Sequence, residues 1–296
     1  MINYTIIIPH KDIPNLLKRC INSIPERKDL EIIIIDDNSD SSIVNFKQFP
    51  GSNRNNTHII LTKEGKGAGY ARNIGLKHAT GEWIIFADAD DCFLSTINSI
   101  FDHLSLSKAD IVYFDICSKD SENLLLNNES KEHNKSIKEG NSNIKFKIEV
   151  PWGKAYKKEF IEQNGLCFEE IMCSNDTRFS VLGDFYAKYI EVIPVIGYCW
   201  MTRKQSLWHT QTVKSLRTRM KVMLRLYQFM ISNNKLKLAE LYYSKAYMFL
   251  TKLKELSIRE FPFSLLVFGW YIRSPRIILI DFPKTFVYVC LQRFRE

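Results

Sequence analysis

The apolar run Trp83-Ile84-Ile85-Phe86-Ala87 ends in Asp88-Ala89-Asp90-Asp91, which places three carboxylates on a four-residue turn. Acids so close repel one another and resist ionisation unless a cation sits among them, and hard divalent ions such as Mg²⁺ or Mn²⁺ prefer oxygen ligands. Asp88, Asp90 and Asp91 are therefore the candidate metal ligands, for an ion that also holds phosphate. The competing reading is a solvated acidic turn after a strand.

Three further polar clusters follow strand-like runs: Pro9-His10-Lys11-Asp12, Asp36-Asp37-Asn38-Ser39, and Lys63-Glu64-Gly65-Lys66-Gly67-Ala68-Gly69. In an open parallel sheet, ligands collect at the carboxyl ends of the strands, so clusters recurring at such ends carry more information than any one of them. The glycine-rich cluster allows close backbone approach to a phosphate and leads into a helix N-terminus, with Lys66 and Arg72 nearby. It has neither GxxxxGK[ST] nor GxGxxG spacing.

The elements that must position these residues are short β-branched runs at 5–9, 31–35, 58–62 and 83–87, alternating with helical patterns. That rhythm predicts a mostly parallel sheet covered by helices. Helices are expected over 14–24, with Asp12 as a possible cap, over 68–79, and from a Ser95 cap to 107; residues 109–117 continue the sheet. Residues 118–147 are poor in apolar side chains and read as a mobile or hairpin-like excursion. Order resumes at Pro151-Trp152-Gly153-Lys154, with a short helix ending at Gly165, a helix over 175–188 and a strand over 190–200.

After Thr210 the pattern becomes long helices, 214–232 and 237–259, the first placing Met220, Met223, Leu224, Tyr227 and Ile231 on one face. These stripes are packing rather than a cofactor site. Residues 200–296 hold 18 Lys and Arg against 5 Asp and Glu, a formal +13, whereas the rest of the chain carries −5. The tail mixes aromatic and basic residues, and its apolar runs are interrupted before the ~20 residues that crossing a bilayer requires. A peripheral anionic membrane surface is the expected partner, and nucleic acid is not, since no aromatic RNA-binding motif or recognition module is present. Seven cysteines without a CxxC pair argue for a reducing compartment, and the N-terminus reads as a first strand rather than a signal peptide; a cytoplasmic protein on the inner face of the membrane is expected.

The chain resembles family 2 glycosyltransferases of the kind that build bacterial surface polysaccharides. The resemblance rests on Ile6-Ile7-Ile8-Pro9, Ile35-Asp36-Asp37-Asn38-Ser39, Ala71-Arg72-Asn73-Ile74-Gly75-Leu76 and Gly81-Glu82-Trp83-Ile84 leading into Asp88-Ala89-Asp90-Asp91. Weaker echoes are Trp152 to Phe160 and Asn175 to Phe179. It covers residues 1 to about 206 and implies a GT-A fold, a Rossmann-like mixed α/β sheet with helices on both faces, for a domain over residues 1–210; the long helices after it read as a helical membrane-proximal region over 211–296. It also implies a nucleotide-sugar donor, a UDP-sugar first among them, a glycan or lipid-linked acceptor, and a divalent metal, Mn²⁺ or Mg²⁺.

By the same resemblance Asp37 contacts the nucleotide base beside Pro9, and Lys11 stands where the family commonly has an aromatic residue. Asp88 and Asp90 form the DXD motif, with Asp90 the direct ligand. Asp176 is the general base, preceded by Asn175 where the family has Glu. One base opposite the leaving group gives inversion at the anomeric carbon. Plainer roles stand beside these: Asp176 as a helix-terminal charge, Asp36 as a turn residue supporting Asp37, Trp152 as a core aromatic rather than a sugar platform, and His209 as structural rather than metal-binding. The rival functions are a metal-dependent phosphotransferase or nuclease using the Asp cluster, and a non-catalytic membrane adaptor.

Overall fold

The computed structural model describes residues 2–140, 144–203 and 211–286. The chain divides into two compact units, Met1–Ile171 with Asn175–Lys204, and Met172–Ser174 with Gln205–Glu296.

The first unit runs β1 (Tyr4–His10), α1 (Pro14–Ser23), β2 (Leu30–Asp37), β3 (Thr57–Thr62), α2 (Ala68–His78), β4 (Trp83–Phe86), β5 (Cys92–Phe93), α3 (Ile97–Leu104), β6 (Ile111–Asp120), α4 (Lys131–Lys138), β7 (Lys154–Lys157), α5 (Lys158–Gln163), α6 (Thr177–Tyr186) and β8 (Ile190–Thr202). These strands form one sheet in the order β3-β2-β1-β4-β7-β6-β8-β5. The first four are parallel, as the alternation predicts; β7 then runs antiparallel to both β4 and β6 and makes the sheet mixed. Ile6, Ile7, Ile8 and Ile32 to Ile35 are all buried, the mark of strands covered on both faces. One face packs Ile6, Ile8, Ile32 and Ile34 against Leu17, Cys20 and Ile21 of α1.

Several local expectations are corrected. Asp12 does not cap α1, whose N-cap is Ile13 without a side-chain bond; Asp12 instead has φ 55° and accepts the Asp40 N–H at 2.7 Å. Ser95 gives way to Thr96 at the start of α3, again without a side-chain cap. The polar stretch after Ser118 opens on the hairpin-like turn expected there, Lys119 bridging antiparallel to Leu126, and adds the helix α4, which buries only Ile137. What anchors α4 is polar: the Asn134 side-chain amide both accepts from Ile116 N and donates to Ile116 O, a contact that hydrophobic periodicity does not register.

The second unit holds α7 (Val213–Ser232), α8 (Leu236–Leu256) and α9 (Phe261–Tyr271), followed by a π-helical turn over Ile277–Asp281. Thr212 and Ser215 close a capping box on α7. Met220, Met223 and Leu224 are buried in the α7–α8 hairpin, as the stripe predicts, whereas Ile231 is exposed and Leu226 and Met230 take inward places. Phe268 of α9 packs on Tyr243 and Tyr247 of α8. Among the described residues, no helix is long and apolar enough to cross a membrane.

Candidate active site

Because β2, β1 and β4 are parallel neighbours, their carboxyl ends bring Asp36-Asp37, Pro9-His10-Lys11 and Asp88 to Asp91 to one edge of the sheet. Asp36 is structural. Its carboxylate accepts from Ser39 N and Ser39 Oγ and lies 2.7 Å from His10 Nδ1, while the Ile13 N–H donates to His10 Nε2 and so leaves Nδ1 as the protonated nitrogen. Burial pushes the Asp36 carboxyl up, but the bonds from His10 and Ser39 outweigh it and hold the group below its ordinary value.

Asp37 builds the glycine loop. Its carboxylate accepts from Lys66 N at 3.1 Å and Gly67 N at 2.6 Å, while Lys11 Nζ donates to the Asp37 and Asn38 carbonyls at 3.0 Å each. Gly67 has φ 94°, a conformation that side chains resist, and it is the N-cap of α2. Lys66 lies over the Tyr70 ring, with Nζ 4.7 Å from the centroid. The close approach at Gly69 is to the protein itself, since a Cβ there would meet the Glu169 carbonyl at 2.1 Å. The glycines thus fit the start of α2 against Glu169 and Asn175 as well as shaping the loop.

Arg72 is the hinge of the site. Buried to 4% exposure on α2, it donates from Nη2 to Asp88 Oδ1 at 2.5 Å and from Nη1 to Asn175 Oδ1 at 2.9 Å, with its guanidinium over Phe168. Both terminal nitrogens serve the protein, so Arg72 acts here by joining the acidic turn to the segment before α6. That segment is fixed from below by Phe179, which stacks on Phe168 at 4.1 Å and meets Phe86 edge-on at 5.3 Å. Ser174, with φ 52°, turns the chain immediately before Asn175. Asp176 occupies the N-cap of α6 yet makes no side-chain capping bond, which leaves its half-buried carboxylate for other work. Burial pushes that carboxyl up, the Arg72 charge opposes, and Asp88 adds to the rise.

One oxygen from each of Asp88, Asp90 and Asp91 lies within 4.8 Å of the others. Asp91 spends both oxygens internally, accepting from Tyr198 Oη at 2.6 Å and Met201 N at 2.7 Å, and Tyr198 Oη also accepts the Asp88 N–H. Asp90 pairs with Arg203 at 2.5 Å, and Arg19 holds the Asp90 carbonyl at 2.6 Å. Burial first, and then the neighbouring carboxylates, push Asp90 and Asp91 above their ordinary value despite Arg203, Met201 and Tyr198. An all-oxygen donor set of three carboxylates, two of them pushed up by burial and by their neighbours, fits a divalent cation, and Asp91 braces the turn.

Sequence reasoning missed Arg203, Tyr198 and Arg19. Tyr198 meets Asp91 across 107 positions, and nothing in the local pattern of β8 marks it. Trp152 is a core aromatic, stacked between His133 and Tyr198. His209 lies outside the described residues.

The family model for glycosyl transferase family 2 matches residues 5–165, which include every strand-end cluster but stop short of Asp176. The glycosyltransferase GlyA of Streptococcus pneumoniae serotype 4 is 27% identical over 177 residues, 54% of this chain and 25% of that protein. The poly(ribitol-phosphate) beta-glucosyltransferase of Bacillus spizizenii is 36% identical over 92 residues, 29% of this chain and 14% of that protein. The chain thus spans a quarter or less of these relatives' lengths. The crystal structure of Staphylococcus aureus TarS 1–349 superposes with a TM-score of 0.71 at 17% identity, covering 93% of this chain and 82% of that one, a likeness of fold. That fold is the expected GT-A arrangement with helices after it. With the family match extending over more than half of the sequence and through the strands that carry the acidic turn, the chain belongs to glycosyl transferase family 2.

Proposed function

We propose that this protein is a metal-dependent, inverting glycosyltransferase that moves a sugar from a nucleotide-sugar to a glycan or lipid-linked acceptor in surface polysaccharide synthesis. The observation that carries this reading is the Arg72 bridge, which ties Asp88 of the acidic turn to the residue preceding Asp176, a carboxylate left unused by its own helix. A UDP-sugar leads the donor candidates because the TarS structure with the same fold is described in complex with UDP and with UDP-GlcNAc.

Each residue has a task under this reading. Pro9, Lys11 and Asp37 line the side where the base binds, Asp37 acting both there and on the glycine loop, with Lys66 toward the phosphates. Asp176 takes the proton of the acceptor hydroxyl, and its raised pKa makes it the stronger base. As a single base it acts on the face opposite the leaving group, which inverts the anomeric centre. Arg72 keeps that carboxylate at a fixed reach from the acidic turn. A divalent ion held by Asp88 and Asp90, with Asp91 behind them, supplies positive charge for the departing diphosphate.

In the second unit, Trp270 and Leu279 are each 72% exposed, beside a cleft of about 510 Å³ that Arg273 and Pro275 also line. We read this basic, aromatic face as the part that rests on an anionic membrane, on its cytoplasmic side, where a lipid-linked acceptor is found. The deciding experiment incubates the purified chain with UDP- and GDP-sugars in Mn²⁺, Mg²⁺ or chelator and follows release of nucleoside diphosphate. Sugar-dependent, chelator-sensitive release supports the reading. Equal cleavage of plain nucleoside triphosphates would favour a phosphotransferase or nuclease instead.

A further inference from the structure

Away from the acidic turn, β8 lies between β6 and β5, and its Cys199 is in register with Cys117 on one side and Cys92 on the other. Residues in register on neighbouring strands project to the same face, so the three thiols form a row across the sheet. Adjacent strands lie about 4.8 Å apart, inside the roughly 4.4–6.8 Å that a disulfide requires between Cα atoms. The row is not uniform. Cys117 and Cys199 are paired in register, and Cys199 Sγ lies 3.6 Å from Met201 Sδ.

The pair is chemically asymmetric. Cys117 is half-buried and reachable, whereas Cys199 is buried. The Cys199 thiol beside it draws the Cys117 thiol down to about 7, with burial opposing and the Lys119 ammonium, two residues along the same strand, assisting. The Cys117 thiol, and then burial, raise Cys199. A reachable thiolate with a buried thiol in bonding range is the arrangement of an attacking and a resolving cysteine.

We propose that Cys117 and Cys199 are a modification site, closing a reversible intrachain disulfide when the protein meets a hydroperoxide. The Cys117 thiolate attacks one oxygen of hydrogen peroxide; the O–O bond breaks, and the departing hydroxide takes a proton and leaves as water. Cys199 sulfur then displaces hydroxide from the Cys117 sulfenic acid, forming the S–S bond, and its proton leaves with that hydroxide as a second water. The two thiols give up two electrons and the peroxide accepts them. The new bond staples β6 to β8 between Tyr198 and Met201, the two residues that donate to Asp91. A transient bond of this kind suits a reducing compartment, where permanent disulfides do not persist.

The test uses the full-length chain carrying Cys167→Ser and Cys290→Ser, which removes one exposed thiol and the thiol of the tail. Reduced protein in chelator receives an equimolar portion of hydrogen peroxide. The expected result is loss of both pair thiols and of two hydrogens in mass, no cross-linked dimer, a proteolytic peptide joining Cys117 to Cys199, and full reversal by dithiothreitol. Cys92→Ser leaves this outcome unchanged, and Cys117→Ser abolishes it. A Cys92–Cys199 bond, stable oxygen adducts with no bond, or thiol loss in Cys117→Ser equal to that of the parent overturns the proposal. The peptide map of the parent chain decides the matter even where a serine variant fails to fold.

Discussion

At the scale of single residues, Asp90, Asp91 and Asp176 are held above the ordinary carboxyl pKa of 3.8 by burial and by neighbouring carboxylates. A group whose folded pKa is raised binds protons that the unfolded chain has released, so its contribution to stability is complete at low pH and is lost as pH rises through the folded pKa. Asp90 and Asp176 therefore make the metal-free protein lose stability as pH rises above the ordinary carboxyl value of 3.8. Asp36, whose pKa is lowered, acts with the opposite sign and below that window. Asp90→Asn is expected to flatten the decline in melting temperature over this range, and Mn²⁺ to stabilise the parent but not the variant. Thermal melts at stepped pH with and without the ion check both, and parallel curves for parent and variant would remove Asp90 from the cluster's electrostatics. Asp176→Asn should leave nucleotide-sugar binding in place while turnover falls by about 10²–10⁴, the loss expected for a general base. A matching fall in donor affinity, measured by calorimetry, would move Asp176 into the nucleotide pocket. Sequence spacing revealed the acidic turn because its members are adjacent; Arg203 was invisible because it reaches Asp90 from the far end of β8. Arg72 was noticed for its charge, and only the fold shows that the charge serves Asp88 and Asn175.

Among elements, the geometry of the candidate site depends on how α2 and α6 seat against β4. The aromatic cluster of Phe86, Phe168 and Phe179 sets the height of α6, and Gly69 sets how near α2 comes to Glu169 and Asn175. Gly69→Ala drives a methyl into the Glu169 carbonyl, and overpacking of this kind costs about 1–3 kcal/mol. The melting temperature should fall by roughly 2–10 °C for a unit of this size. Turnover should fall further than the loss of folded protein explains, because Asn175 and Asp176 shift with the segment; an unchanged melt and unchanged turnover would show that the contact yields freely. The parallel strands were legible because Ile6 to Ile8 and Ile32 to Ile35 are continuous β-branched runs. The antiparallel β7 was not, since Lys154-Ala155-Tyr156-Lys157 has no pattern that reports which neighbours it pairs with. The helix α4 went unrecognised inside the stretch read as a mobile or hairpin-like excursion because its anchor is the amide of Asn134.

For the molecule as a whole, the informative quantity is the distribution of charge: +13 in residues 200–296 against −5 elsewhere. That excess accompanies apolar side chains left in solvent on the second unit, with Phe263 50% and Trp270 72% exposed, while Arg276 is open on the neighbouring turn. Apolar surface and basic charge together suit an anionic bilayer, where each Lys or Arg near the surface contributes about 1 kcal/mol and an inserted aromatic adds burial that salt does not screen. The two contributions are separable. Replacing Arg273 and Arg276 by Gln should weaken partitioning into phosphatidylglycerol vesicles by roughly thirtyfold at low ionic strength, the product of two such contributions, with little difference left at high salt. Phe263→Ala with Trp270→Ala should weaken it at every salt concentration, because what is lost is burial. Co-sedimentation at stepped salt, with phosphatidylcholine vesicles as the uncharged control, reads both effects on the intact chain. If the parent and both variants partition equally into the two kinds of vesicle, this face does not meet a membrane, and the charge of the second unit serves packing or self-association instead.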